Sequence, residues 1–181
     1  MGYSWYDTTI TNSYATGNVT ASGTYSYVGG LVGYSQSGST ITDSYSTGNV
    51  TASSNNNNSY AGGLVGFASS ITVRNAYSSS AVSAESGNTV YVGGLVGYVS
   101  NSVNLENAHW LKSADTGAVY AVGYNNSLGV PTSIGSTSHA ILDEFYALAD
   151  TLNAGREVPV WEHTGENTLP SLINGDDESA E

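Results

Sequence analysis

Over the first 125 residues, apolar and polar positions alternate in short bursts. In Asn49–Ala52, Val50 and Ala52 fall on one side of an extended chain and Thr51 on the other. In Ile41–Tyr45, Ile41 points inward and Thr42 outward. This period of two, carried by β-branched and aromatic residues, predicts short strands half-buried on one face. Glycine and asparagine separate the bursts and predict the turns between them.

The bursts repeat. YVGGLVGY occupies residues 27–34 and recurs unchanged at 91–98, with YAGGLVGF at 60–67 between them. The glycine doublets begin at Gly29, Gly62 and Gly93, giving periods of 33 and 31 residues. A second block keeps the same rhythm, from Ile10 (ITNSY), Ile41 (ITDSY), Val73 (VRNAY) and Leu105 (LENAH). TGNVTAS follows at Thr16 and Thr47 and weakens to SSAVSAE at Ser79. The length variation falls in SSNNNNS at 53–59, which predicts a protruding loop. A unit this small cannot bury its own apolar face, so neighbouring units must stack. Parallel stacking of equivalent strands gives a β-solenoid with Leu31, Leu64 and Leu95 in its core.

Stacking at about 4.8 Å per coil turns equivalent positions into ladders. The expected ones are Asn12–Asp43–Asn75–Asn107, a small-residue row Ser13–Ser44–Ala76–Ala108, and three aromatic rows. The aromatic rows are Tyr14–Tyr45–Tyr77–His109, Tyr27–Tyr60–Tyr91, and Tyr34–Phe67–Tyr98 continued by Tyr124. Glycine is expected where the backbone turns or approaches closely.

Composition narrows the class. Only 10% of the 181 residues are charged, against roughly a quarter in ordinary domains. Net charge is −12, split as −3 up to residue 140 and −9 beyond it. Three basic residues cannot neutralise a phosphate backbone, which excludes nucleic acid and disfavours anionic membrane. The absence of cysteine removes disulfides and thiolate metal sites. No apolar run is long enough to span a membrane. The abrupt start in mid-repeat suggests an excised piece of a longer protein, with Met1 added.

The GGLVG core, followed by I-x-N-S-Y-x-T-G-x-V and another GGLVG, resembles the GLUG motif of bacterial extracellular proteins. The resemblance covers roughly residues 8 to 125. It implies an extracellular parallel β-solenoid of the kind found in surface adhesins and in non-catalytic regions of immunoglobulin A metallopeptidases. It carries no catalytic residues across. The last unit departs from the pattern, since Tyr120–Tyr124 lacks the GGL.

From Ser136 the texture changes. An N-cap candidate at Ser138, apolar residues at Ile141, Leu142, Phe145, Leu148 and Leu152, and a stop at Gly155 predict an amphipathic helix over about 139–154. VPVWEHTGENTLPSLI reads as a strand, a turn and a closing strand. Residues 126–175 are accordingly expected to cap the open strand edges of a solenoid spanning 1–125, with 176–181 an acidic tail.

Candidate chemistry is sparse. His109 replaces a ladder tyrosine, and His163 with Glu166 forms an H-x-x-E pair in a turn rather than on a helix. Neither pattern is a zinc motif. The repeat body offers five scattered acids, with Asp115 and Glu85 the one candidate pair, so paired-carboxylate catalysis lacks its residues. Calcium could use Asp43, Asp7 or the C-terminal acids, although solvated surface acids are the plainer reading. Outward rows Thr16–Thr47–Ser79 and Thr20–Thr51–Ser83 resemble ice-binding threonine arrays. They decay to serine, and Arg74 and Glu106 interrupt the neighbouring Thr11–Thr42 row.

The expectation is therefore an all-β, right-handed parallel β-solenoid with a helix-containing C-terminal cap. Its function would be a non-enzymatic module of a secreted or surface adhesin, acting as stalk or ligand-binding surface. Alternatives are an ice- or glycan-binding solenoid, or an accessory region of a secreted metallopeptidase. The partner would be a host or neighbouring-cell protein or glycan, with no cofactor, no membrane insertion, and a monomeric chain at the cell surface.

Overall fold

The computed structural model describes residues 1–112, 120–126, 133–139, 148–166 and 168–173. Four ladders of parallel strands make up the repeat body. The GGLVG ladder contains β1 (Tyr3–Ser4), β5 (Val32–Gln36), β9 (Val65–Ser69), β13 (Val96–Val99) and β15 (Val122–Asn125). The asparagine ladder contains β2 (Thr9–Ala15), β6 (Thr40–Ser46), β10 (Ile71–Ser78), β14 (Val103–Leu111) and β16 (Ser133–His139). β3 (Val19–Gly23), β7 (Val50–Ser54) and β11 (Val82–Ser86) form a third ladder. A fourth is formed by β4 (Ser26–Gly29), β8 (Ser59–Gly62) and β12 (Val90–Gly93). One strand from each ladder makes a coil, so β2–β5, β6–β9 and β10–β13 are three complete coils. This is a parallel β-solenoid.

Register follows the repeat. Ile10 pairs with Ile41, Val73 with Ile41 and Leu105 with Val73, so like residues meet across every step. Ile41, Val73 and Leu105, with Leu64, Leu95, Val65, Val96 and Val50, are sealed inside the coil, and Ile10 packs half-buried against them. Hydrogen bonds run on through the bend between the fourth ladder and the GGLVG ladder. Leu31 N donates to Leu64 O at 3.0 Å and Leu64 N to Leu95 O at 2.9 Å.

The three glycines of each GGLVG core are there for close approach rather than for a turning backbone. None has a positive φ, in contrast to Gly38 and Gly155. A Cβ on Gly62 would run into the carbonyl of Val65 and the backbone of Leu95 and Gly97 in the next coil. On Gly63 it would run into Gly94 O and the Ser78 side chain.

The asparagine row has a different origin. Asn12, Asp43, Asn75 and Asn107 all sit in the left-handed region, with φ of 48–49°. The strand pairings skip these positions, so each coil bulges at the same point. Asn and Asp tolerate this conformation better than other side-chain-bearing residues. The Asn107 amide also donates to Asn75 Oδ1 at 2.8 Å, which makes one rung of the expected ladder. Asn75→Val is expected to cost about 1–2 kcal/mol because a β-branched residue resists φ > 0, while Asn75→Gly stays within about 0.5 kcal/mol. Urea unfolding of the two variants measures the difference.

The C-terminal residues differ from expectation in two respects. Ser138 and His139, expected to start the helix, end β16, which pairs with β14 from Asn104↔Ser133 to Leu111↔His139. The open edge of β14 offers hydrogen-bond partners along its length, and that outweighs a local capping preference. Helix α1 is described over Leu148–Leu152, and residues 140–147 and 174–181 lie outside the described residues.

The segment that follows packs on the flank of the solenoid rather than across its end. β17 (Trp161–Glu162) and β18 (Ser171–Leu172) pair antiparallel. Trp161 lies 5.8 Å from Tyr45 and 5.7 Å from Tyr77, ring to ring, and closes a second small core with Leu148, Leu152 and Leu172. Tyr77 donates its hydroxyl to Pro170 O at 2.6 Å, and Asn107 Nδ2 donates to Thr151 O at 3.1 Å. Arg156 pairs with Asp43, the charged member of the asparagine row. Inside the segment, Asn153 joins α1 to β17, accepting from Val160 N and Trp161 N and donating to Trp161 O at 2.7 Å.

Candidate functional site

Two aromatic ladders run side by side along the fourth ladder and the GGLVG ladder. Tyr27, Tyr60 and Tyr91 stack at 4.8 and 5.1 Å with rings within 13° of parallel. Beside them Tyr3, Tyr34, Phe67, Tyr98 and Tyr124 stack at 4.4, 4.6, 5.2 and 5.4 Å. Across the two rows the rings are nearly perpendicular in the first coils, at 88° for Tyr27–Tyr34, 83° for Tyr60–Phe67 and 84° for Tyr60–Tyr98, and the angle falls to 73° for Tyr91–Tyr98 and 55° for Tyr91–Tyr124.

Strand spacing explains this herringbone. Rings held about 4.8 Å apart by the coil rise reach carbon contact near 3.5–4 Å only by tilting roughly 40° to the stack axis. Two neighbouring rows tilting in opposite senses then meet at about twice that angle, which is also the favoured edge-to-face arrangement. Each ring face inside the wall is covered by the next rung. Edges and hydroxyls are what the interior of the wall offers to solvent. Among the described residues the end rings of this row are the more open ones, Tyr3 at 50% and Tyr124 at 46% exposed.

Burial, and then the charge of neighbouring phenols, pushes the phenols of Tyr27, Tyr45, Tyr91 and Tyr98 up from their ordinary range. Tyr34 is pushed up to about 12, chiefly by desolvation and then by the Tyr3 phenol beside it. A phenol whose folded pKa exceeds its unfolded value contributes stability below pH 10. That contribution is lost as pH rises through the folded value. The solenoid is expected to keep its stability up to about pH 10 and to lose it progressively towards pH 12. Urea unfolding across that range, read against phenolate absorbance, tests this; a midpoint independent of pH would contradict it.

A second surface feature lies at the asparagine-rich loop. Ser22, Thr24, Ser53, Ser54, Asn55 and Asn56 line an open cleft of about 360 Å³ between the first two coils. Its lining is neutral throughout, and Ser54 Oγ is already committed to Thr24 O at 2.7 Å.

The remaining sequence candidates are dispersed. His109 is buried in the row of Tyr77, its Nε2 2.9 Å from Asn107 Oδ1. His163 and Glu166 are both exposed. Asp115 lies outside the described residues, so its distance from Glu85 is not described. Asp43 is engaged by Arg156, and Asp7 lies beside Gly38. Among the described residues no three His, Asp or Glu side chains gather as a metal group.

Of the threonine rows, Thr20–Thr51–Ser83 is in register, with Thr51 and Ser83 hydroxyls 3.2 Å apart. The other row breaks because Ser79 is buried. Pairing also aligns Thr9, Thr40 and Thr72, a row that only the register reveals. Beside it, Thr11 and Thr42 give way to the Arg74–Glu106 ion pair of 2.7 Å. Arg74, then Asn104, holds the Glu106 carboxyl below its usual range.

Fold and surface together define the class: a parallel repeat solenoid whose coils carry few charged groups and a surface rich in hydroxyls and aromatic rings. The family model described as the GLUG motif matches residues 24–51, one coil's worth of chain from β4 to the start of β7. Residues 24–51 thus carry a GLUG motif, and the similar stretches around Gly62 and Gly93 stack in register on it. Neither curated proteins nor solved structures yielded a match. Among the described residues no helix is long and apolar enough to cross a membrane.

Proposed function

We propose that this chain is a non-catalytic module of a bacterial secreted or cell-surface protein, serving as a stiff spacer that presents a ligand-binding flank. The observation that carries the reading is the in-register stack itself. Coil after coil is devoted to the core, glycine contacts and aromatic rows, and the ionisable groups are dispersed along it. The module is monomeric and takes a protein or glycan on a host or neighbouring cell. The neutral cleft beside Asn55 and Asn56 is the surface best suited to such a ligand, because it offers hydroxyls and amides without charge.

The test is binding of the labelled full chain to whole cells and to an array of neutral glycans, with and without residues 55–58. Deleting those four loop residues is expected to remove at least nine-tenths of the signal while leaving the far-ultraviolet dichroism unchanged. Binding that survives the deletion would move the ligand surface elsewhere. Cleavage of immunoglobulin or polysaccharide by the purified chain would overturn the non-catalytic reading.

A further inference from the structure

The aromatic wall has a chemical property that its structural role does not require. Its phenols form an unbroken chain of neighbours: Tyr3–Tyr34 at 4.4 Å, Tyr34–Tyr27 at 5.4 Å, Tyr27–Tyr60 at 4.8 Å, Tyr60–Tyr98 at 5.4 Å and Tyr98–Tyr124 at 5.4 Å. Phe67, which cannot form a phenoxyl radical, is bypassed through Tyr60. At each end of the chain, a half-exposed ring (Tyr3 or Tyr124) stacks on a ring of the adjoining coil. Trp5, also exposed, stands 5.5 Å from Tyr3 and extends the row towards solvent.

We propose that the wall is a site of oxidative cross-linking, at which a peroxidase-class oxidant using hydrogen peroxide joins Tyr98 to Tyr124 and Tyr3 to Tyr34 as dityrosine. Each phenol gives up one electron to the oxidant and its hydroxyl proton to solvent. The two phenoxyl radicals form a carbon–carbon bond between the ring positions beside their oxygens. The hydrogens at those positions then shift to the oxygens and restore two phenols. Hydrogen peroxide takes up the two electrons and two protons and leaves as two waters. Because contacts continue along the wall, an electron lost at any rung can be replaced from the next. The radical thus reaches the ends, where a ring has room to move into bonding distance. The product is a covalent staple between neighbouring coils in a chain that has no cysteine.

The experiment treats the dilute full chain with hydrogen peroxide and a haem peroxidase, followed by proteolysis and mass spectrometry. The expected result is dityrosine fluorescence in a chain that stays monomeric, with the Tyr98 and Tyr124 peptides joined and two hydrogens lighter. The Tyr3 and Tyr34 peptides should be joined in the same way. Tyr124→Phe keeps the ring and the stack; it should abolish the first joined pair and leave the second, and Tyr3→Phe should do the reverse. Tyr6, Tyr14 and Tyr120 are more exposed than Tyr3 or Tyr124. Coupling spread over those three, coupling only between separate chains, or no dityrosine at all would each overturn the proposal.

Discussion

Gly63→Ala is expected to cost about 3 kcal/mol, the upper end of what an overpacked core position costs. The added methyl would have to occupy space held by the Gly94 carbonyl and the Ser78 side chain. Neither gives way easily. Gly63 accepts from Gly30 N at 3.0 Å and donates to Gly93 O at 3.2 Å, so moving it breaks the ladder towards both neighbours. Ser78 is itself tied to Ser46, whose hydroxyl donates to Gly63 O at 2.6 Å. Gly17 provides the control, being exposed with nothing within 4 Å of a Cβ built on it. Gly17→Ala should stay within about 0.5 kcal/mol of the parent chain. Urea unfolding of both variants decides the matter; equal costs would show that close approach does not select glycine in this motif, since chain entropy alone favours alanine.

Trp161→Ala carries the second large effect, about 3–5 kcal/mol for a buried aromatic ring. Trp161 is 2% exposed and touches Tyr45 and Tyr77 on two successive coils. The loss is expected to appear locally, because the contacts of Trp161 hold the C-terminal segment to the solenoid rather than one coil to the next. Limited proteolysis should release the region beyond His139 while the repeat body resists. Trp161→Phe should cost far less, since the indole N–H makes no hydrogen bond among the described residues. A repeat body cleaved as readily as the segment would show that the flank contacts hold the coils themselves.

The architecture was readable because the repeats are close to identical. When Ile41 recurs at Ile10 and GGLVG recurs letter for letter, parallel in-register stacking follows without knowledge of the backbone. The packing of the aromatic rows was less readable. Sequence places Tyr27 and Tyr34 in separate rows, but only folding brings those rows against one another and covers their faces. The left-handed φ of the asparagine row also stayed hidden, although a row of Asn interrupted by Asp was its visible trace. Least readable was the C-terminal segment. Its helix, strands and Gly155 stop can be inferred locally, whereas its seat on Tyr45 and Tyr77 depends on contacts with no periodic signature. One signal was available: Asp43 is the charged member of an otherwise amide row, and Arg156 is the sole basic residue beyond position 140. One acid in a row of amides and one basic residue in an acidic segment mark a contact.

That seat determines how the molecule would carry load. A pull on the C-terminal segment is delivered through Trp161, Arg156 and Pro170 to Tyr45, Asp43 and Tyr77, in the middle of the stack. The last rung is not the first to bear it. Force entering there acts on several coils in shear, which loads their hydrogen bonds together, whereas a pull on a terminal strand would unzip them one by one.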